Sequence, residues 1–293
     1  MRNKVKNENA AYKGQSEFKR AMLQLSRNKL AMLGVYILIL EIVLCILAPK
    51  ICRYDYMTMD PMALRQAPSA AHWFGTDELG RDILSRILYG GRYSISMGFL
   101  ATIISTLIGM AIGAVAGYAG GTVDNLIMRF LDVIQSLPSM LLTIVISAVL
   151  GSGWFNTILA LSVGGIPGAA RMLRGNMLKQ REAEYIEAAH SINCSNLRIV
   201  LLHLIPNCFS ANIVGLTMGI GGTIVMASSL SFIGLGVQPP TPDWGAMLAG
   251  ARQYIRMYPH MVIFPGLAIA LTVLATNILG DGVRDAFDPK LKD

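Results

Sequence analysis

Few residues of this 293-residue chain have the spacing that metal binding or nucleophilic catalysis requires. The four histidines share no ligand spacing and the four cysteines form no Cys-x-x-Cys pair, so a metal site is not predicted. Met57, Met59 and Met62 could bind Cu(I) through thioether sulfur, although three methionines in so Met-rich a chain are more often there by chance.

The chain also lacks a phosphate-binding loop. The pattern G-x-x-x-x-G-K-[ST] occurs nowhere, and there is not even a Gly-Lys dipeptide, so the chain cannot cradle ATP phosphates by that route. We therefore predict that this chain binds no cofactor. Any work driven by ATP and Mg²⁺ would need an ATPase on another polypeptide.

One carboxylate lies inside a long apolar segment. Glu41 is near the middle of Leu30–Leu47, where a charge costs about 2.5–3.5 kcal/mol on membrane-insertion scales. We expect Glu41 to have a polar partner or to be protonated. Proton coupling is the functional alternative, although no chain of acidic residues accompanies Glu41.

These groups belong to a strongly apolar chain. Hydrophobic residues make up 53% and charged residues 15%, where soluble domains have about 25% charged residues, and the mean hydropathy is +0.50. This composition excludes a disordered chain, a coiled coil and most soluble enzymes. The net charge of +7 is interpreted as basic residues that flank membrane segments, so no nucleic-acid partner is predicted.

Long stretches without charge predict an all-α, polytopic integral membrane protein with six transmembrane helices. Each span needs about 20 apolar residues, and a β-barrel would instead show short alternating segments. The predicted spans are about 30–48, 95–117, 127–150, 154–171, 208–234 and 259–280. In the second span, small residues recur every four positions at Gly109, Gly113 and Gly117, which predicts close packing on another helix of this chain or of a second subunit.

Lysine and arginine placement predicts the orientation. They are concentrated in the N-terminal segment 1–29, the loop 171–206 and the C-terminal tail, so these are expected on the cytoplasmic side. Both termini are then cytoplasmic. Span 1 is expected to be retained as an anchor, because no A-x-A cleavage site follows it.

Two clusters of mixed charge adjoin the spans. The first lies in segment 75–92 before span 2, and a solvated interfacial helix is favoured there over a segment that closes the outer mouth or contacts a delivery protein. Its members, which could pair at helical spacing, are Asp77, Arg81, Asp82 and Arg86. Asp124, Arg129 and Asp132, at the start of span 3, are expected to pair with each other or with loop 171–206.

The loop between spans 4 and 5 is helical by pattern. Segment 181–192 contains no helix breaker, and its apolar residues recur at i, i+3, i+4 and i+7. The residues of this stripe are Tyr185, Ala188, Ala189 and Ile192. Such a helix could dock into a groove on a cytosolic partner, or it could merely connect two spans along the membrane surface.

A turn and a second helix follow. Asn193 can take a left-handed conformation, and Ser195 is a suitable N-cap. The second helix is predicted over 196–205, and it is expected to stop at Pro206.

These residues carry a family resemblance. The run Tyr185-Ile186-Glu187-Ala188-Ala189, followed by Asn193, Ser195 and Leu204-Ile205-Pro206-Asn207, resembles the "EAA" coupling loop of ABC importer permeases, which usually has glycine where this chain has Asn193. Segments 74–86, 230–245 and 280–289 resemble signatures of the C-type permease subunit of dipeptide, oligopeptide and nickel importers. The resemblance covers about residues 15–290.

The resemblance implies the fold and function of an ABC type-1 importer transmembrane domain in the bacterial plasma membrane. Short peptides would be the substrate, and nickel or a metal chelate is the alternative. An ATP-independent secondary transporter is a remoter possibility, since neither paired intramembrane charges nor an inverted repeat is found. Besides membrane lipid, the implied partners are a homologous second permease, two cytosolic ABC ATPases and an extracytoplasmic substrate-binding protein.

The resemblance also implies roles within the loop 176–206. Glu187 would contact the ATPase groove, Ala188 and Ala189 would allow close approach, and Asn193 would set the bend. The implied coupling set is completed by Tyr185, Ser195 and Pro206. The expected organisation is a basic tail 1–29, a span with an outer loop 30–93, the type-1 domain 94–281 and a tail 282–293. No residue of the substrate pathway is assigned.

Overall fold

The computed structural model describes residues 17–287, and the regular elements in that part of the chain are helices. A lone bridge pairs Thr76 with Asp82, and no strand occurs among these residues. The all-α prediction is confirmed. The predicted tails lie partly outside the described residues, at 1–16 and 288–293.

Eleven α-helices follow one another between residues 17 and 287. They are α1 Glu17–Arg27, α2 Lys29–Ile51, α3 Ile83–Ala119, α4 Gly121–Gln135, α5 Ser139–Leu150, α6 Trp154–Arg181, α7 Glu184–Ser191, α8 Asn196–Arg198, α9 Ile205–Phe232, α10 Trp244–Ala251 and α11 His260–Phe287. A π-helical segment, Ile199–Leu204, joins α8 to α9, and a 3-10 turn, Arg252–Tyr254, follows α10.

Four of these helices are long and apolar enough to cross a membrane. They are α2, α3, α11 and the Ala211–Phe232 part of α9. The bent pair α4 and α5 would make a fifth span. Helix α6 has 28 residues but is not among them, because polar residues, glycines and Pro167 interrupt its apolar sequence. The predicted six spans are thus matched by four helices, or by five with the bent pair.

Predicted span 3 is a broken helix. Helices α4 and α5 meet at an angle of 84° across residues 136–138. Pro138 has a ψ of 132°, which is extended, and the residue before a proline is disfavoured in the helical region. The apolar run therefore continues through residue 150, but the helix axis changes direction at residues 136–138.

The prediction that the second loop helix stops at Pro206 is wrong. Helical backbone continues from α8 through the π segment into α9, and Pro206 lies in the first turn of α9. Pro206 has no backbone N–H to donate. The wider π turn immediately before it shifts the hydrogen-bond register, so that the helix continues past the proline. The loop is consequently joined to α9 without a flexible link.

The stripe of small residues on α3 faces α6. A methyl group on Gly109 would lie 2.5 Å from Cβ of Ala169, and one on Gly117 would lie 2.9 Å from Cβ of Met177. A methyl group on Gly113 would collide with the carbonyl oxygen of Ala170. The close partner of these glycines is therefore a helix of the same chain.

Glu41 has the polar partner that its position required. The Thr272 hydroxyl, on α11, donates to Oε2 of Glu41 at 2.9 Å, and it also reaches the Ala268 carbonyl oxygen at 2.9 Å. This contact joins α2 to α11 inside the bundle.

Candidate functional site

Helix α7 is short and presents two different faces. Ile186 is 1% exposed and Ala189 is 7% exposed, and both belong to a core cluster with residues of α3, α6 and α9. Tyr185, Ala188 and Ile192 face away from this core, and Ile192 is 79% exposed. We call these last three residues, of which Ile192 is the C-cap residue, the open face of α7.

The predicted apolar stripe is divided between two faces of this helix. Of its four members only Ala189 is buried, because Ile186 and Ala189, at i and i+3, face the bundle. The other three members form the open face.

Helix α7 ends in a Schellman motif. Asn193 has a φ of +58°, as predicted, and its N–H donates to the His190 carbonyl oxygen at 2.9 Å. The Cys194 N–H donates to the Ala189 carbonyl oxygen at 3.1 Å, and Cys194 packs against the cluster that contains Ala189. These bonds fix the angle between α7 and the helix that follows.

Other coupling residues occupy less specialised positions. Ser195 is at the N-cap of α8, but its side chain makes no capping hydrogen bond. Glu187 is exposed in the first turn of α7, where a carboxylate is favourable for the helix dipole, and it takes part in no salt bridge within residues 17–287. The Tyr185 hydroxyl donates to Gln180 Oε1 at 2.7 Å and accepts from Asn207 Nδ2 at 3.3 Å.

Three residues that sequence reasoning missed hold this loop in place. The Tyr118 hydroxyl donates to Asn196 Oδ1 at 2.7 Å, and Arg181 Nη1 donates to the Tyr118 carbonyl oxygen at 3.3 Å. The partners are separated by 78 and 63 residues in sequence. No local pattern could have revealed contacts over such separations.

Ion pairs tie α4 to α6 at the same end of the bundle. Arg174 Nε and Nη2 each lie 2.5 Å from a carboxylate oxygen of Asp124, and Arg171 Nη2 lies 2.5 Å from Asp132. Arg129 forms no salt bridge within the described residues. The partners of the two aspartates thus come from the 171–206 segment, although they are part of helix α6.

The charged segment before α3 is not the solvated helix that was predicted. Residues 75–82 form a compact loop, and its aspartates and arginines are about 5–6% exposed. Arg81 Nε lies 2.7 Å from Asp77 Oδ2, and His72 Nδ1 lies 3.0 Å from Asp82. Asp82 also caps α3, because its Oδ2 accepts from the Ser85 N–H at 2.8 Å. Mixed charge was mistaken for solvation here, since the burial depends on partners that only the fold brings together.

A cleft of about 280 Å³ lies beside this loop, between the end of α9 and α10. Its polar lining comes mainly from the charged loop, from the first turns of α3 and from segment 238–242: Asp77, Glu78, Arg81, Arg86, Gln238 and Thr241. Next to it, the buried Asp243 accepts from Ser94 Oγ at 2.6 Å, and burial raises the pKa of its carboxyl. Trp244 Nε1 donates to the Ile87 carbonyl oxygen at 2.9 Å, so α10 is fastened to α3.

The apolar helices define a helical membrane protein in which the short helix α7 has one buried and one exposed face, and known families identify its class. The model of the binding-protein-dependent transport system inner membrane component matches residues 109–293. The model of the N-terminal transmembrane domain of oligopeptide transport permease C matches residues 16–68. The chain belongs to the family of binding-protein-dependent transport system inner membrane components, and it is a permease subunit of the ABC importer type.

Individual relatives agree with this family. The chain is 42% identical to the dipeptide transport system permease protein DppC of Alkalihalophilus pseudofirmus, over 96% of this chain and 92% of that protein. It is 49% identical to the glutathione transport system permease protein GsiD of Escherichia coli O6:K15:H31, over 91% of this chain and 88% of that protein. An inward-facing structure of the MetNI methionine ABC transporter matches with a TM-score of 0.57 at 18% identity, over 69% of this chain and 96% of that chain, which supports the fold.

Proposed function

We propose that this chain forms half of the membrane pathway of an ABC importer for short peptides. Two relatives of high identity are named for a dipeptide and for glutathione, which is a tripeptide. A homologous permease would form the other half, and an extracytoplasmic binding protein would deliver the substrate. ATP and Mg²⁺ would bind to two separate cytosolic ATPases, since this chain has no phosphate-binding loop.

The observation that carries the proposal is the division of α7 into a buried and an open face. Ile186 and Ala189 anchor the helix to the bundle, and Tyr185, Ala188 and Ile192 remain available to a partner. A short helix that is held on one side and apolar on the other suits a groove on a cytosolic protein. We infer that this groove belongs to the ATPase.

The exposed coupling residues have roles that follow from their positions, whereas Ala189 packs against the bundle and does not face the ATPase. Ala188, on the open face, would let the ATPase backbone approach closely. Glu187, exposed beside that face, would pair with a basic group on the ATPase, and Asn193 would hold the angle of the Schellman turn. Ser195 and Pro206 would belong to the rigid continuation into α9.

Movement of the ATPases would reach the bundle through rigid connections. Helices α7 and α8 form a hairpin that is joined to α9 by continuous helix and to α6 by only two residues, so it cannot move independently of them. ATP-driven closure would then displace these helices as bodies and switch the pathway between inward-facing and outward-facing states.

The Glu187→Lys variant tests this coupling. The intact complex is purified through a tag on this chain and reconstituted in vesicles with its binding protein, and ATP-driven uptake of labelled dialanine and glutathione is measured. We expect uptake to fall at least about tenfold, which corresponds to about 1.4 kcal/mol of lost coupling. Glu182→Lys, an exposed position just before α7, is the matched control.

The same assay decides the substrate class. Unchanged uptake in Glu187→Lys would remove the coupling role of this residue. Wild-type vesicles that accumulate labelled nickel but neither peptide would contradict the short-peptide proposal.

A further inference from the structure

Both ends of the α7 segment are fastened to one residue of α3. Arg181 is the last residue of α6 and Asn196 is the first residue of α8, so they bracket residues 182–195. Arg181 donates to the Tyr118 backbone carbonyl, and Asn196 accepts from the Tyr118 hydroxyl. Tyr118 therefore closes the segment into a loop whose base is the end of α3.

The local packing favours this arrangement. Tyr118 packs against the same core cluster that contains Ile186 and Ala189. The Arg181 guanidinium lies against Gly120, where a methyl group would come within 2.8 Å of its Nη1. Gly120 has a φ of +63°, so a side chain there would be both strained and in the way.

Helix α3 connects this point to the opposite end of the bundle. It has 37 residues without a break and is therefore about 55 Å long. Its other end is capped by Asp82, and Ile87 and Ser94 hold α10 beside the cleft. A displacement at Tyr118 can thus be carried by one helix to the cleft.

We propose that Tyr118 is a positioning residue that transmits the movement of α7 directly to α3. This inference rests on the proposed function, because it assumes that α7 receives its movement from an ATPase. Helices α6 and α9 are covalently continuous with the hairpin, but α3 is not. The hydroxyl of Tyr118 supplies a hydrogen bond between the exit of the hairpin and α3, beside the apolar packing of Ile186 and Ala189 in the core cluster.

The Tyr118→Phe variant removes this hydroxyl and keeps the ring packing and the backbone carbonyl. In the reconstituted complex we expect the number of dialanine or glutathione molecules imported per ATP hydrolysed to fall about two- to tenfold, the range of one net hydrogen bond. Tyr36→Phe is the matched control, since Tyr36 is 63% exposed on α2 and its hydroxyl makes no hydrogen bond within the described residues.

A second pair of variants separates positioning from general stability. Asn196→Asp keeps an acceptor for the Tyr118 hydroxyl, so it should retain the wild-type ratio of peptides imported to ATP hydrolysed. Asn196→Leu should lower this ratio as Tyr118→Phe does. The double variant Tyr118→Phe/Asn196→Leu should be no worse than either single variant, because both remove the same bond. A wild-type ratio in Tyr118→Phe, or additive losses in the double variant, would overturn the inference.

Hydrogen exchange tests the connection without any transport. In the purified full-length chain, amides of 182–195 should exchange about two- to tenfold faster in Tyr118→Phe than in Tyr36→Phe. Equal exchange would overturn the inference. A wild-type complex without ATP-driven uptake would instead refute the proposed function, and the exchange result would still decide whether Tyr118 holds the hairpin.

Discussion

Two isoleucines on opposite faces of α7 provide a matched test of how this helix is held. Ile186 is 1% exposed in the core cluster and Ile192 is 79% exposed on the open face. Truncating a buried isoleucine to alanine costs about 2–5 kcal/mol, whereas a change at an exposed position stays within about 0.5 kcal/mol. The variants Ile186→Ala and Ile192→Ala remove the same atoms and differ only in their surroundings.

The cost at Ile186 should be local. An eight-residue helix has little stability of its own, so α7 depends on this packing to remain folded. A loss of 2 kcal/mol, the lower end of the range, corresponds to about 30-fold faster amide exchange by local opening. Ile192→Ala should change exchange by less than about threefold.

Hydrogen exchange measured by mass spectrometry on peptides that cover 184–194 gives both values in the purified chain. Exchange that rises equally in the two variants, or more in Ile192→Ala, would refute the assignment of the two faces. In the complete complex, Ile192→Ala should weaken ATPase binding more than Ile186→Ala does. There, Ile192→Ala should release the ATPase more readily in a pull-down through this chain.

Three further predictions concern the bundle and are read out by the melting temperature of the purified chain. Gly113→Val should lower it by overpacking, at a cost of about 1–3 kcal/mol, whereas Gly168→Val, where the space is open, should not; equal losses would contradict the packing. Burial raises the pKa of the Asp243 carboxyl, so its protonated form stabilises the fold. The melting temperature should therefore fall as the pH rises through that pKa. In Asp243→Asn the melting temperature should depend less on pH. Thr272→Val should destabilise by leaving Glu41 without its partner, and adding Glu41→Leu should restore stability.

The sequence predicted features that depend on local chemistry. Runs without charge located the helices that became α2, α9 and α11 to within a few residues at most boundaries, because a bilayer demands apolar length. Asn193 was placed in the left-handed region from its side chain alone, and the structure has it there. The need for a partner at Glu41 followed from the cost of a charge in an apolar segment, but Thr272 could not be named.

Features that depend on distant contacts escaped prediction. The bend at Pro138 was missed because hydropathy does not report the direction of a helix axis, although the proline itself was visible. The apolar stripe of α7 did not reveal which side faces the bundle, since a docking surface and a core surface have the same composition. The pairing of Arg81 with Asp77 could be predicted from their spacing, but their burial could not, because it depends on the packing around the loop.

We propose that energy enters this permease mechanically, through the hairpin of α7 and α8, from ATPases on other chains. The most direct test compares uptake of labelled dipeptide against its gradient by vesicles that contain the chain alone and by vesicles that contain the complete complex with its binding protein and ATP. We predict accumulation only in the complete complex and no ATP hydrolysis by the isolated chain. Uphill accumulation by the isolated chain would contradict it.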